Sequence, residues 1–264
     1  MINHPTALCD WFRPFDSVLV AFSGGLDSSV VAKAAAIALP QKATAVFIAS
    51  PSGTEQEIGE AHTVAAAIPI ELVIFPCNEL ESPDYVKNQS DRCYHCKKFR
   101  FQAMAKIAAE KNLSCIVDGS QADDLSDFRP GFRAVKELNV RSPLAELGFD
   151  KNTVRELARH WKLPNAEMLP SPCLSTRLAF GLPITEKRLR TVEQAEMILA
   201  SLGFSQFRVR LHSDELVRIE VPTDQLPLLT DQNNRDKIVK ALRTFGFRYV
   251  TADLEGFRSG SFNP

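Results

Sequence analysis

A doubly wound parallel α/β sheet followed by a smaller α+β unit is the fold this sequence predicts, and three observations predict it. Short apolar runs such as Asp16–Phe22 and Ser114–Asp118 end at glycine turns, as buried parallel strands do. Helical stretches alternate with those runs through the first half of the chain. The pattern then changes beyond a cluster of prolines, Pro164, Pro170, Pro172 and Pro183.

In order, 16–22 reads as the first strand, and Ala- and Val-rich 28–39 as its following helix. A strand over 43–49, a helix over 55–68 capped by Thr54, and a strand over 70–75 come next. A long helix over 94–112, a strand over 114–118 and a helix over 152–161 complete the first domain, expected at 1–170. The second, at 171–264, reads as a helix over 185–202, strands over 207–211 and 216–221, helical segments near 225–229 and 235–245, and a strand over 248–253.

The chain has 264 residues, 45% of them hydrophobic and 24% charged, with a formal net charge of −1. That is ample for a buried core and offers no bulk basic field for nucleic acid. The first 17 residues lack a basic segment followed by an apolar run, and no stretch is long enough to span a bilayer. A cytoplasmic location is expected, without membrane or nucleic-acid partners, and the six cysteines are expected to be reduced there. Cys115, in the apolar run 113–117, is expected to be a core thiol.

The chemistry concentrates in a few segments. Ser23-Gly24-Gly25-Leu26-Asp27-Ser28-Ser29 joins a strand to a helix. Its glycines let backbone approach a ligand, the helix start offers N–H groups and a positive dipole end, and the serines add hydroxyls. Asp27 is a poor phosphate ligand by itself, so a bridging Mg²⁺ is expected. The loop has no lysine after its glycines, as a Walker loop would, and no third spaced glycine, as a dinucleotide loop would. It resembles the PP-loop of the adenine-nucleotide alpha-hydrolase superfamily. That resemblance implies ATP bound by Ser23, Gly24, Gly25, Asp27, Ser28 and Ser29 and split between the α and β phosphates. Asp118-Gly119-Ser120-Gln121-Ala122-Asp123-Asp124 lies at the fourth strand's carboxyl end. The same resemblance implies Gly119 beside the nucleotide and Asp123 or Asp124, with Asp124 preferred, as a second Mg²⁺ ligand, although an acidic helix start accounts for the same composition.

Cys93 and Cys96 form a C-x-x-C, and Cys173 sits far along the chain in Ser171-Pro-Cys-Leu-Ser-Thr-Arg177. Three readings compete: a redox pair, although the thioredoxin-like strand that precedes the usual redox site is not the pattern here; a zinc site completed by His95, whose place inside the C-x-x-C strains its reach; and an iron–sulfur cluster on three thiolates.

Together with Arg92-Cys-Tyr-His-Cys-Lys97, Phe128-Arg-Pro-Gly131, Arg208-Val-Arg210 and Gly256-Phe-Arg-Ser-Gly-Ser261, these stretches resemble the ATP-dependent sacrificial sulfur transferase (LarE) family over nearly the whole chain. The resemblance implies adenylation of pyridinium-3,5-biscarboxylic acid mononucleotide and conversion of its carboxylates to thiocarboxylates, on the route to the nickel-pincer nucleotide. In the single-cysteine form of the family a cysteine at the Cys173 position attacks the acyl-adenylate and loses its sulfur. With three cysteines, as here, the resemblance implies instead a [4Fe-4S] cluster on Cys93, Cys96 and Cys173 whose free iron carries the transferred sulfide, so the sulfur is expected from Cys173 or from that sulfide. The resemblance also implies a homo-oligomer, a possible sulfide-donating partner, and a pocket of Glu196, Arg208, Arg210 and Arg258 for the substrate's anionic groups. Arg208 and Arg210 fall on one face of an alternating strand, where two guanidiniums can fork a dianion, or where they can instead pair with Glu220 or Glu215. The rival readings are a tRNA sulfur transferase, which needs a basic surface, an amide-forming synthetase, and a nucleotide-binding sensor without chemistry.

Overall fold

The computed structural model describes residues 3–126, 130–168, 172–258 and 261–262. Phe128, Arg129, Ser171, Ser259 and Gly260 of the motif stretches lie outside them. In chain order the elements are α1 His4–Phe12, β1 Val18–Ala21, α2 Leu26–Ala38, β2 Ala43–Ala49, α3 Glu55–Ala66, β3 Glu71–Pro76, α4 Pro83–Val86, α5 Arg92–Glu110, β4 Cys115–Val117, α6 Asp123–Ser126, α7 Gly131–Glu137, α8 Pro143–Glu146, α9 Lys151–His160, α10 Glu186–Ser201, β5 Arg208–Leu211, β6 Leu216–Glu220, α11 Leu226–Thr230, α12 Gln232–Thr244 and β7 Tyr249–Ala252. The chain divides into two compact units, 1–82 with 91–171, and 83–90 with 172–264.

In the first unit four parallel strands run in the order β3-β2-β1-β4. Strand β1 explains the layering. Val18 and Val20 are buried against the cluster that α1, α2, α3 and α9 supply, while Leu19 points into a second cluster with Phe101, Met104 and Ile107 of α5. With both faces covered, the strand needs no polar alternation, and Val18, Leu19 and Val20 are fully buried. Thr54 caps α3 as expected: its hydroxyl accepts the Glu57 N–H (3.2 Å), and the Glu57 carboxylate accepts the Thr54 N–H (3.3 Å). Helix α5 begins at Arg92 and not at 94, which puts Cys93 and Cys96 inside its first turns. Cys115 is half-buried, on edge strand β4, where burial pushes its thiol pKa up.

The second unit holds the sheet β5-β6-β7, antiparallel between β5 and β6 and parallel between β6 and β7. Leu189, Val192, Ala195 and Leu199 of α10 are buried, as are Val209, Leu211, Val217 and Ile219 of the sheet and Ile238 and Leu242 of α12. The segment 83–90 belongs here by its bonds. Tyr85 hydrogen-bonds Ser175, and the Asn88 amide donates to the carbonyls of Ala179 and Leu182, both at 2.8 Å. The single helical segment expected near 225–229 is a 3₁₀ turn over Thr223–Gln225 running into α11.

Candidate active site

The first unit gathers the phosphate-loop residues at the carboxyl end of β1. Gly24 has φ +73°, and a Cβ there would come within 3.0 Å of the Ala61 backbone, so the turn excludes larger residues. The serines brace it. Ser23 N–H donates to Ser28 Oγ (3.2 Å), and the Ser28 and Ser29 hydroxyls donate to the Gly25 carbonyl (3.1 and 2.7 Å). No side chain caps the start of α2, in contrast to α3, and that leaves the dipole end available to an anion. Gly119 closes the other side: a Cβ on it would fall 2.8 Å from the Ser28 nitrogen. Asp118 fixes this approach, since it is buried and accepts from Ser120 N–H (3.1 Å), Ser120 Oγ (2.6 Å) and Ser142 Oγ (2.7 Å).

Two residues that sequence reasoning missed complete the loop's surroundings. The buried Asn165 amide donates to the Gly24 carbonyl (2.8 Å) and to Ser29 Oγ (2.9 Å), and its buried Oδ1 has no hydrogen-bond partner among the described residues. Lys151 Nζ lies 2.7 and 2.9 Å from the two carboxylate oxygens of Asp27. Neither had a local signal, because 141 and 124 residues separate them from Gly24 and Asp27. Of the acidic residues expected to hold Mg²⁺, Asp27 meets Lys151, and Asp124 accepts the Gln121 N–H (3.1 Å) at the start of α6. Mg²⁺ is commonly held by one or two carboxylates plus substrate phosphates, and Asp27 beside an anion-ready helix start fits that chemistry.

In the second unit Cys173 precedes a 3₁₀ turn over Leu174–Arg177. Its carbonyl accepts from Thr176 N–H (3.0 Å), Thr176 Oγ1 (2.8 Å) and Arg177 Nη1 (2.9 Å). Buried Arg177 forks Glu196 through Nε (3.0 Å) and Nη2 (3.2 Å), and Glu196 also accepts the Val209 N–H (3.1 Å). Buried Arg210 binds Glu220 (3.0 Å) and donates to the Thr176 carbonyl (2.9 Å). The expected cluster of Glu196, Arg208 and Arg210 is therefore assembled around the Cys173 turn, with Arg177 and Glu220 added.

Arg208 differs from its neighbours. It donates to the Phe207 carbonyl (2.7 Å) and lies over the Phe257 ring (5.2 Å), and among the described residues it makes no salt bridge. Burial first, and then the charges of Arg177 and Arg210, pull its pKa down to about 10, with Glu196 and Glu220 offsetting part of the shift. A partly buried guanidinium beside two others attracts anions by its electrostatics. Arg258 stands apart. It pairs with Asp253 (3.3 Å) and Glu255 (2.5 Å), and Asp253 in turn meets Arg218, which binds Glu220 (2.9 Å).

Cys93 is exposed and Cys96 half-buried on α5 of the first unit, while Cys173 belongs to the second. Among the described residues no three His, Cys, Asp or Glu side chains form a group that could hold a metal ion. Nor is any helix there long and apolar enough to cross a membrane.

A family model described as NAD synthase matches residues 12–173, more than half of the chain. The chain is 38% identical over 253 residues to the pyridinium-3,5-bisthiocarboxylic acid mononucleotide synthase of Lactiplantibacillus plantarum, covering 95% of this chain and 90% of that protein. It is 39% identical to an uncharacterized protein of Synechocystis over 97% of this chain and 95% of the relative. An uncharacterized protein of Methanocaldococcus jannaschii is 30% identical over 92% of the chain and 91% of its own length. With a phosphate loop at the tip of β1 and these relatives along nearly its full length, the chain belongs to the LarE family of PP-loop, ATP-using enzymes.

Proposed function

We propose that this enzyme adenylates the carboxylates of pyridinium-3,5-biscarboxylic acid mononucleotide and converts them to thiocarboxylates, releasing pyrophosphate and AMP. One observation carries the reading: the hydrogen-bonded turn that begins at Cys173 is held by Arg177 and Arg210, with Arg208 beside them, in a chain that also carries an uncapped phosphate loop. The synthase of Lactiplantibacillus plantarum to which the chain is similar supplies the substrate class.

The first unit would serve as the ATP-binding domain and the second as the sulfur-transfer domain. Ser23, Gly24, Gly25, Ser28, Ser29 and Gly119 would hold the β and γ phosphates, and Mg²⁺ held by Asp27 would neutralise the developing pyrophosphate. A substrate carboxylate attacks the α phosphorus and pyrophosphate leaves. Arg208, with Arg210, Arg177 and Glu196 behind it, would orient the dianionic substrate, and Arg258 would guide its approach. The Cys173 thiolate then attacks the acyl carbon and AMP leaves with the bonding pair. Loss of the Cys173 α proton with cleavage of its Cβ–S bond releases the thiocarboxylate and leaves dehydroalanine.

The alternative sulfur source is a sulfide on a [4Fe-4S] cluster held by Cys93, Cys96 and Cys173, supplied by a donor protein. Its support is the spacing of the cysteines, and since the described residues form no three-ligand group, no step is routed through it. A homo-oligomer in the cytoplasm belongs to the same reading; it rests on the family resemblance and on six cysteines outside any disulfide.

Mass spectrometry of the protein after turnover with ATP and substrate tests the sulfur source. A loss of about 34 Da at Cys173, the mass of hydrogen sulfide leaving a thiol-bearing residue, is expected. An intact Cys173 after several turnovers overturns sacrifice, and iron in anoxically purified protein would then favour the cluster.

A further inference from the structure

The phosphate loop presents an electrostatic problem that its own sequence does not solve. Between Phe22 and Val30 it has no basic residue, and it carries a carboxylate, Asp27, in the first turn of α2. A negative group at the mouth of a polyphosphate site repels the ligand, and partial exposure weakens but does not remove that repulsion.

Lys151 answers this from a distant part of the chain. Its ammonium spans both Asp27 oxygens at 2.7 and 2.9 Å, and both side chains are roughly 30% exposed (31% and 29%), so an incoming ion can reach them. The placement is built and not incidental. Lys151 opens α9, whose cap Asp150 accepts the Thr153 N–H (2.8 Å), and its own N–H donates to Asp123 (3.1 Å). Val154, Leu157 and Ala158 anchor α9 in the same core cluster as α2. A cation at a helix N-terminus opposes the helix dipole by about 0.3–1 kcal/mol, so the position favours something other than α9 itself.

We propose that Lys151 is a positioning residue of the phosphate loop. By neutralising Asp27 it makes the loop receptive to a pyrophosphate-type polyanion, and it yields the carboxylate to the divalent cation that arrives with the nucleotide. This rests on the reading that the loop grips pyrophosphate.

Calorimetric titration with inorganic pyrophosphate in EDTA tests it, using the full chain and three variants. Lys151→Met should bind about tenfold more weakly, which is about 1.4 kcal/mol. Asp27→Asn combined with Lys151→Met should return to within about threefold of the unmodified chain, because the carboxylate charge that Lys151 offsets is then removed as well. Lys151→Arg should retain binding. All variants should keep the melting temperature of the parent, since a partly exposed ion pair contributes little to stability. Added Mg²⁺ should narrow the Lys151→Met deficit. Unchanged affinity in Lys151→Met overturns the proposal, as does a double variant as weak as the single one or a deficit that Mg²⁺ leaves untouched. No pyrophosphate binding by the unmodified chain would instead defeat the reading on which the proposal stands, and the proposal with it.

Discussion

Arg208 and Arg210 are two residues apart on β5, yet their surroundings assign them different work. Arg210 is tied to Glu220, which is fully buried, whereas Arg208 makes no salt bridge among the described residues and has a pKa lowered to about 10. Removing Arg210 leaves a buried carboxylate oxygen without its guanidinium, with Arg218 and the Ser261 hydroxyl still on the other oxygen, so Arg210→Met should cost about 2–4 kcal/mol in a melting experiment. Arg208→Met should cost less than about 0.5 kcal/mol, because it removes a charge the fold holds at a loss. The same substitution should lower kcat/KM for the nucleotide substrate by about 100-fold while sparing ATP binding; equal loss of ATP binding would defeat the assignment. The pH dependence follows in sign. Because burial depresses the folded-state value, the charged form opposes folding at pH below about 10, and that cost is relieved as pH rises through it. Anion binding at Arg208 runs the other way and weakens above that pH. The arginine pair itself was legible from strand alternation, but the difference between its members was not, since it depends on which strand carries Glu220 opposite them.

Among the elements, the strand–loop–helix joining β1 to α2 bears most of the site, and its tolerance is set by backbone contacts. A Cβ at Gly119 would meet the Ser28 nitrogen at 2.8 Å and the Asp27 carbonyl carbon at 3.1 Å. Neither is a side chain that can swing away, so Gly119→Ala should cost about 1–3 kcal/mol by overpacking and displace the first turn of α2. Loss of nucleotide binding together with a lowered melting temperature is the expected result. Gly59→Ala is the control: nothing lies within 4 Å of the added methyl on α3, and the gain in helix propensity should raise stability by up to about 1 kcal/mol. The sequence showed the loop clearly because its signals are local: an apolar run, two glycines and serines in the first turn. Helix α1 escaped notice although Asn3 caps it and Pro5 sits in its first turn; the polar and proline-containing start resembles a loop until Leu8 and Phe12 are seen buried. Helix α7 begins beside residues that carry no clear periodicity, and its packing on α5 is a tertiary effect.

At the level of the whole molecule, the alternation of strands and helices was enough to give the parallel sheet, because each buried strand had to be apolar on both faces. The division into units was less accessible. Segment 83–90 joins the second unit through Tyr85 and Asn88, whose partners lie about ninety residues away. No local composition announces such a pairing, just as none announces Lys151 against Asp27. The near-neutral charge of the chain agrees with a small-molecule substrate and gives no support to an RNA one. In the proposed reaction ATP is cleaved between its α and β phosphates, with the inner phosphate passed to a carboxylate. Turnover with ATP labelled separately in the α and γ phosphates checks this step. Label should appear in AMP and in pyrophosphate, in equal amounts and dependent on the substrate; ADP with orthophosphate, and no AMP, would rule the reaction out.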